Sequence, residues 1–154
     1  MSNDQKLKVV IADDSEEALY ALEDLLKSRG YTVFAASSGR AAFSLAQEHG
    51  PDVIVSDLVM PGGDGLELAR LIKADPELRY TPVVLVTSKD NLEDVIVGFE
   101  NGADDYIKKP YRPEELIARM HAAIRTRSLY QELKSTSDQN RRLKSQLGER
   151  FSFQ

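Results

Sequence analysis

The chain has 154 residues, 42% hydrophobic and 29% charged, enough for one domain with a full core. It has no cysteine and only two histidines, His49 and His121, which excludes disulfides, thiolate zinc sites, iron–sulfur clusters and a cysteine nucleophile and argues against a multi-histidine metal site. The net charge of −5 is uneven: residues 1–124 hold 13 basic and 22 acidic side chains, whereas residues 125–154 hold 7 and 3, so an acidic body that would repel nucleic acid carries a mildly basic tail.

Strand candidates recur over the first 110 residues as short β-branched runs: Val9-Val10-Ile11, Thr32-Val33-Phe34-Ala35, Val53-Ile54-Val55-Ser56, Val83-Val84-Leu85-Val86-Thr87 and Asp105-Tyr106-Ile107-Lys108. Several are continuously apolar, as expected of strands covered by helices on both faces. The first helix is predicted to start after the cap Ser15, to carry Ala18, Leu19, Leu22, Leu25 and Leu26 on one face, and to stop at Gly30. A second runs from about Gly39 to Glu48, before Gly50-Pro51. A third spans roughly Gly65 to Ala74, and a fourth follows Asn91 and ends at Asn101-Gly102. The fifth opens at Pro113, a residue tolerated at the first helical position. Five strand–helix units in alternation predict an α/β fold, a doubly wound five-stranded parallel sheet flanked by five helices. Ligands in such folds sit at the carboxyl ends of the strands.

At those ends the sequence places Asp13-Asp14, Asp57, Thr87-Ser88 and Lys108-Lys109-Pro110. Carboxylates forced together repel one another, so the arrangement makes sense if a hard divalent cation is shared, magnesium before others. Cation, carboxylate, hydroxyl and ammonium are together the parts that phosphoryl transfer needs, where catalysis is mostly positioning and charge neutralisation. Any one of these groups alone reads equally well as a solvated loop residue.

With these residues in view, the chain resembles a response regulator receiver domain, the flavodoxin-like phosphoacceptor module of two-component signalling, over about residues 6–124. The resemblance rests on Val9-Val10-Ile11-Ala12-Asp13-Asp14-Ser15, Asp57-Leu58-Val59-Met60-Pro61-Gly62-Gly63-Asp64-Gly65, Thr87-Ser88 and Gly102-Ala103-Asp104-Asp105-Tyr106-Ile107-Lys108-Lys109-Pro110. It implies that Asp57 is the phosphorylated carboxylate, receiving its phosphoryl group from a sensor histidine kinase. It implies further that Asp13, Asp14, Asp57 and the backbone carbonyl of Val59 hold Mg2+, and that Lys109 pairs with the phosphoryl group. Thr87 would follow the phosphate, Tyr106 would be the aromatic switch, and Lys108 faces elsewhere by strand alternation. In this family the side chains at the positions of Val59 and Lys89 influence how water reaches the acyl phosphate. A valine cannot orient water, so self-dephosphorylation is expected not to be especially fast.

Rival readings fit less well. A flavin binder needs a phosphate loop after strand one, where Asp13-Asp14 would repel the phosphate. A haloacid-dehalogenase-like phosphatase is the serious enzyme alternative, but Val59 stands where its second aspartate is wanted. Gly62-Gly63-Asp64-Gly65 lacks the spacing of a dinucleotide loop. A coiled-coil dimerisation scaffold with an inactive receiver would be favoured had Asp57, Thr87 or Lys109 been missing. The chain is therefore expected to be a signalling domain that catalyses only its own phosphorylation and dephosphorylation.

No further proline follows Pro113, so helix five is expected to run to about Leu147, roughly 50 Å at 1.5 Å per residue. Leu116, Ile117, Met120 and Ile124 form its ordinary apolar face. Past it, Leu129, Leu133, Thr136, Asn140, Leu143 and Leu147 recur at heptad spacing, with Leu133, Asn140 and Leu147 at a and Leu129, Thr136 and Leu143 at d. Residues 1–124 are thus read as the receiver and 125–154 as a helical extension, a coiled coil that links or dimerises. A frayed single helix and a basic nucleic-acid-binding tail are the alternatives. The closing Phe151-Ser152-Phe153-Gln154 somewhat resembles the lead-in to the ATPase domain of bacterial enhancer-binding activators, so an output domain beyond the chain or a separate partner protein is expected. No run approaches the roughly 18 apolar residues of a membrane span, and Met1-Ser2-Asn3-Asp4-Gln5-Lys6 lacks the apolar core of a secretory signal, so a cytoplasmic protein without a membrane partner is expected.

Overall fold

The computed structural model describes residues 6–61, 64–88 and 92–151, with the side chains of Leu92 and of residues 147–151 left out. The expectations placed on Gly62-Gly63, Lys89, the Leu147 side chain and residues 151–154 lie outside the described side chains or residues. Ten elements alternate along the chain: β1 Lys8–Ala12, α1 Glu16–Ser28, β2 Thr32–Ala36, α2 Gly39–His49, β3 Val53–Asp57, α3 Gly65–Ala74, β4 Val83–Thr87, α4 Leu92–Glu100, β5 Asp105–Lys108 and α5 Pro113–Phe151. The strands form one parallel sheet in the order β2-β1-β3-β4-β5, the doubly wound arrangement that the alternation predicts.

Strand runs are continuously apolar because each face of the sheet has its own core. Val10, Ala12, Ile54, Val83 and Leu85 pack with Ala42 and Ala46 of α2 and with Leu68, Ala69 and Ile72 of α3. On the opposite face Val9, Ile11, Val53, Val55, Val84, Val86 and Ile107 meet Leu22 and Leu26 of α1 and Leu116 and Met120 of α5. Ile117 and Ile124 are partly buried against the same cluster, which bears out the apolar face expected of the fifth helix.

Local chemistry sets the helix ends. The Ser15 hydroxyl accepts the N–H of Ala18, Ser38 that of Ala41 and Asp64 that of Glu67, each satisfying an orphan donor of a first turn. α2 stops at Gly50, whose φ of 58° closes the helix in the left-handed conformation.

The reversal of strand order falls at β1, with β2 on one side and β3 on the other. Such a switch point opens a crevice at the carboxyl ends, and Asp13 and Asp57 stand on its two sides. Gly65 closes the loop after β3: its N–H donates to the Leu58 carbonyl at 3.0 Å. A Cβ there would collide with the Asp57 carbonyl oxygen and come within 2.9 Å of Leu85 Cδ2. The helix that follows the acceptor loop can sit this close only because position 65 has no side chain. Gly65→Ala is expected to cost roughly 1–3 kcal/mol through overpacking, read as a lowered midpoint in denaturant unfolding; an unchanged midpoint would contradict this packing.

Candidate functional site

β1 delivers Asp13 and Asp14, β3 delivers Asp57, β4 ends in Thr87, and the turn after β5 delivers Lys109. Asp13, Asp14 and Asp57 each place a carboxylate oxygen so that the three lie within 4.8 Å of one another. Their exposure is graded: Asp13 is buried, Asp57 half-buried and Asp14 exposed. Asp13 is fixed on several sides. Its N–H donates to the Ala36 carbonyl at 3.2 Å, and its Oδ1 accepts the Ser15 N–H at 2.9 Å.

Lys109 reaches in from the opposite strand, its Nζ 2.8 Å from Asp13 Oδ2 and 3.5 Å from Asp57 Oδ2. Its backbone N–H donates to the Thr87 carbonyl at 2.8 Å, so the β4 and β5 ends are stitched together at the same place that aims the ammonium. The Lys109–Pro110 peptide is cis. Partial burial alone would lower the lysine pKa, but the hydrogen bond to Asp13 and the charges of Asp57 and Asp13 outweigh it and raise the pKa above the ordinary value. The ammonium is therefore fully charged at neutral pH. Because the folded value is the higher one, the stability this pairing contributes is complete below the ordinary lysine range and is lost only as pH rises through the raised pKa. Lys108, one residue earlier, is exposed, in keeping with strand alternation.

Thr87 is 2% exposed at the end of β4. Tyr106 pairs in register with Leu85, and Thr87 with Lys108. Alternation therefore puts Thr87 and Tyr106 on one face of the sheet, one pleat apart, with Tyr106 half-buried against the core shared with α2 and α3. Val59 stands on the loop after Asp57, 49% exposed between the buried Leu58 and Met60. Among the described residues, Asp13, Asp14, Asp57, Thr87 and Lys109 thus lie at one rim with Val59 on the loop beside it, and Tyr106 lies one pleat below Thr87.

Gly65, one of the glycines of the motif that follows Asp57, has its close approach to the Asp57 carbonyl explained once α3 is seen against it. One contributor escaped the sequence. Tyr111 lines a cavity of about 670 Å³ between α1 and the β5–α5 turn, together with Leu22, Leu25, Val55, Asp57 and Lys109. Burial raises its phenol pKa, opposed by the Lys109 charge, so it stays neutral at physiological pH. Its place directly after Lys109-Pro110 was the available signal.

Hard oxygen donors converging from two neighbouring strands, one of them anchored by a backbone N–H, fit a small divalent cation. An ammonium and a buried hydroxyl complete a site built to gather negative charge, of the class that handles phosphoryl groups. A sequence model of the response regulator receiver domain family matches residues 9–121, and the chain belongs to that family. The receiver domain of a signal transduction histidine kinase from Syntrophus aciditrophicus is 34% identical, with a TM-score of 0.71 over 77% of this chain and 90% of that one. The chemotaxis response regulator CheY4 of Vibrio cholerae is 30% identical, with a TM-score of 0.72 over 77% and 99%. The receiver domain of a sensor histidine kinase from Pseudomonas aeruginosa, determined with a magnesium ion coordinated in its active-site cleft, is 26% identical, with a TM-score of 0.73 over 78% and 98%. The chain is a receiver of two-component signalling, and its family is a signalling family. Among the described residues no helix is long and apolar enough to cross a membrane.

Three carboxylates against one ammonium leave the crevice with excess negative charge when no cation is bound. Asp14→Asn is expected to raise the thermal midpoint in chelator, because it removes one of the mutually repelling charges. A destabilised Asp14→Asn in chelator would show that the carboxylates are not in conflict.

Proposed function

We propose that Asp57 is the phosphoacceptor, that Asp13, Asp14, Asp57 and the backbone carbonyl of Val59 would hold Mg2+, and that a sensor histidine kinase is the donor. The observation that carries this reading is Lys109 Nζ poised between Asp13 and Asp57 inside the carboxylate cluster. An Asp57 oxygen attacks the phosphorus of a phosphohistidine. The oxygen–phosphorus bond forms as the phosphorus–nitrogen bond breaks, and its electron pair leaves with the imidazole. Lys109, fully charged at neutral pH, stabilises the negative charge gathering on the phosphoryl oxygens. Magnesium, when bound, supplies further neutralisation of those oxygens. The cleft between α1 and the β5–α5 turn, bordered by Asp57 and Lys109, gives the donor's ring room to approach.

Phosphorylation adds roughly 1.5 to 2 negative charges beside the end of β4. The Thr87 hydroxyl then moves to donate to the phosphoryl group, and Tyr106, one pleat below on the same face, takes the space vacated. The α4, β5 and α5 surface is remodelled, and the extension after residue 124 passes the change to an output domain or partner protein. On this reading the domain catalyses only its own phosphorylation and dephosphorylation, and it works in the cytoplasm, where the kinase presents its phosphohistidine. Direct binding to nucleic acid plays no part.

Intact mass after treatment with acetyl phosphate tests the assignment. Wild type is expected to gain one phosphoryl group in Mg2+ and none in chelator, Asp57→Asn to gain none, and Lys109→Ala to slow uptake by roughly 10²-fold or more. Uptake by Asp57→Asn equal to wild type would overturn it. Val59→Asn is expected to speed loss of the phosphoryl group several-fold, followed by the same mass measurement over time; an equal or slower decay would show that Val59 does not limit access of water.

A further inference from the structure

At the end of the strands opposite the carboxylate rim, a cavity of about 440 Å³ lies between the receiver and helix α5. One wall is α5, where the short side chains of Ala122 and Ala123 leave room; the facing wall is the stretch between α3 and β4 that holds Arg79, Tyr80 and Pro82. The helix is held to this wall by its own contacts. Arg127 Nη1 donates to Asp52 Oδ1 at 3.1 Å, and the other Asp52 oxygen accepts the Lys8 N–H at 2.8 Å, which ties the helix to β1. One turn on, the Tyr130 ring lies 6.4 Å from that of Tyr80, with 26° between their planes. A space of this size suits a small organic molecule better than a bare ion.

The carboxylates that line the cavity are already engaged. Asp104 Oδ2 accepts Lys73 Nζ at 2.9 Å and the Val83 N–H at 2.8 Å, and Asp105 accepts Arg119 Nη1 at 3.0 and 3.2 Å. Donors, by contrast, are in surplus. Arg127 Nε is buried and has no acceptor among the described residues, and a buried N–H in that state is rare enough to need an explanation. Lys73 Nζ spends two of its three N–H groups, on Asp104 and on the Thr81 carbonyl at 3.0 Å, and keeps one. Among the described residues Arg79 and Lys134 pair with no carboxylate; they sit 5.3 and 5.1 Å from the centre of the Tyr80 ring. The hydrogen bond from Arg79, and with it the Lys134 charge, hold the Tyr80 phenol below its ordinary pKa, in keeping with a positive field beside the cavity.

We propose that this cavity binds a small organic phosphate carried on a flat ring, a nucleoside monophosphate in its chemistry, with the phosphate taken by Arg127, Arg79 and Lys73 and the ring set against Tyr130. A ligand that brings acceptors and negative charge satisfies the orphan Nε–H and offsets the two cations that have no carboxylate, through charge-assisted hydrogen bonds. Pro82, Ala122, Ala123 and the tyrosine rings offer a flat ligand apolar surface that inorganic phosphate alone would leave uncovered. A longer nucleic acid would meet the acidic body, where residues 1–124 hold 13 basic against 22 acidic side chains, so the ligand is a free nucleotide. Bound there, it touches both the receiver and α5. It therefore fastens the helix past Ile124 by as much as it prefers the docked helix to a released one. The site lies at the far end of the sheet from Asp57 and is independent of the chemistry there.

AMP is the probe, titrated by calorimetry into the full chain in chelator, with adenosine and inorganic phosphate as parallel arms. AMP is expected to bind saturably, and adenosine and inorganic phosphate each roughly tenfold or more weakly. Arg79→Leu removes an exposed cation, and Arg127→Lys keeps a cation for Asp52 while removing the Nε–H; each is expected to weaken AMP roughly tenfold. In wild type, AMP is also expected to slow amide exchange over residues 122–130 several-fold, an effect lost in Arg79→Leu. No saturable binding of AMP overturns the proposal. Adenosine binding as tightly as AMP overturns the anion site, and inorganic phosphate binding as tightly overturns the ring-bearing ligand. AMP binding that both arginine variants leave intact places the nucleotide elsewhere on the chain, and unchanged exchange with AMP bound shows that it does not touch α5; either result overturns the site.

Discussion

The site depends on holding three carboxylates where electrostatics would drive them apart. Two unit charges about 4 Å apart interact with about 4 kcal/mol at the effective dielectric of a protein surface. The fold opposes this with a rigid frame: β1 and β3 are neighbours at the switch point, Asp13 is tied by its own N–H and by that of Ser15, and Lys109 is drawn in from the far side. The residual negative charge is what makes the crevice attractive to a cation. The Lys109 ammonium, 2.8 Å from Asp13 and 3.5 Å from Asp57, offsets part of this charge.

Coupling from this rim to the surface follows from parallel-strand geometry. Lys109 shares a backbone hydrogen bond with Thr87, and the β4–β5 register sets Thr87 and Tyr106 on one face. On α4, Gly98 packs against Leu85, while Ile96, Val97 and Phe99 are exposed. An element with so exposed an apolar face moves at low cost. The two-state response proposed above would fall on this exposed face, and its size would be bounded by the differential stabilisation that the charge provides.

The fold was legible because its strands are buried on both faces and its helices carry their own punctuation. Val83 to Thr87 reads as an unbroken apolar run for the same reason that it is fully buried, and Ser15, Ser38 and Asp64 cap helices that open within a residue or two of where the pattern places them. The rim was legible because topology alone brings strand ends together. What remained hidden needs distance in sequence turned into contact. Asp52 meets Arg127 across 75 positions with no motif to announce the pair. Tyr80 and Tyr130, likewise, read separately as ordinary exposed aromatics.

Those hidden contacts change the meaning of the charge asymmetry. Basic residues in a tail usually read as solvated flanking charges, and some here are. Arg127 and Lys134, however, spend theirs on the underside of the acidic body, one on a carboxylate and one on an aromatic face. Attraction between a body of −9 and a tail of +4 would by itself be diffuse and screened within about 10 Å at moderate salt. Focused through Asp52 and Tyr80 it becomes directional. The helix that starts beside the carboxylate rim at Pro113 is packed along the sheet through Leu116 and Met120, and is then held at the opposite end of the strands. One continuous element therefore spans the domain from the carboxylate rim to the leucine seam, and any change that shifts its first turns must either rotate the seam or strain the contacts that hold it.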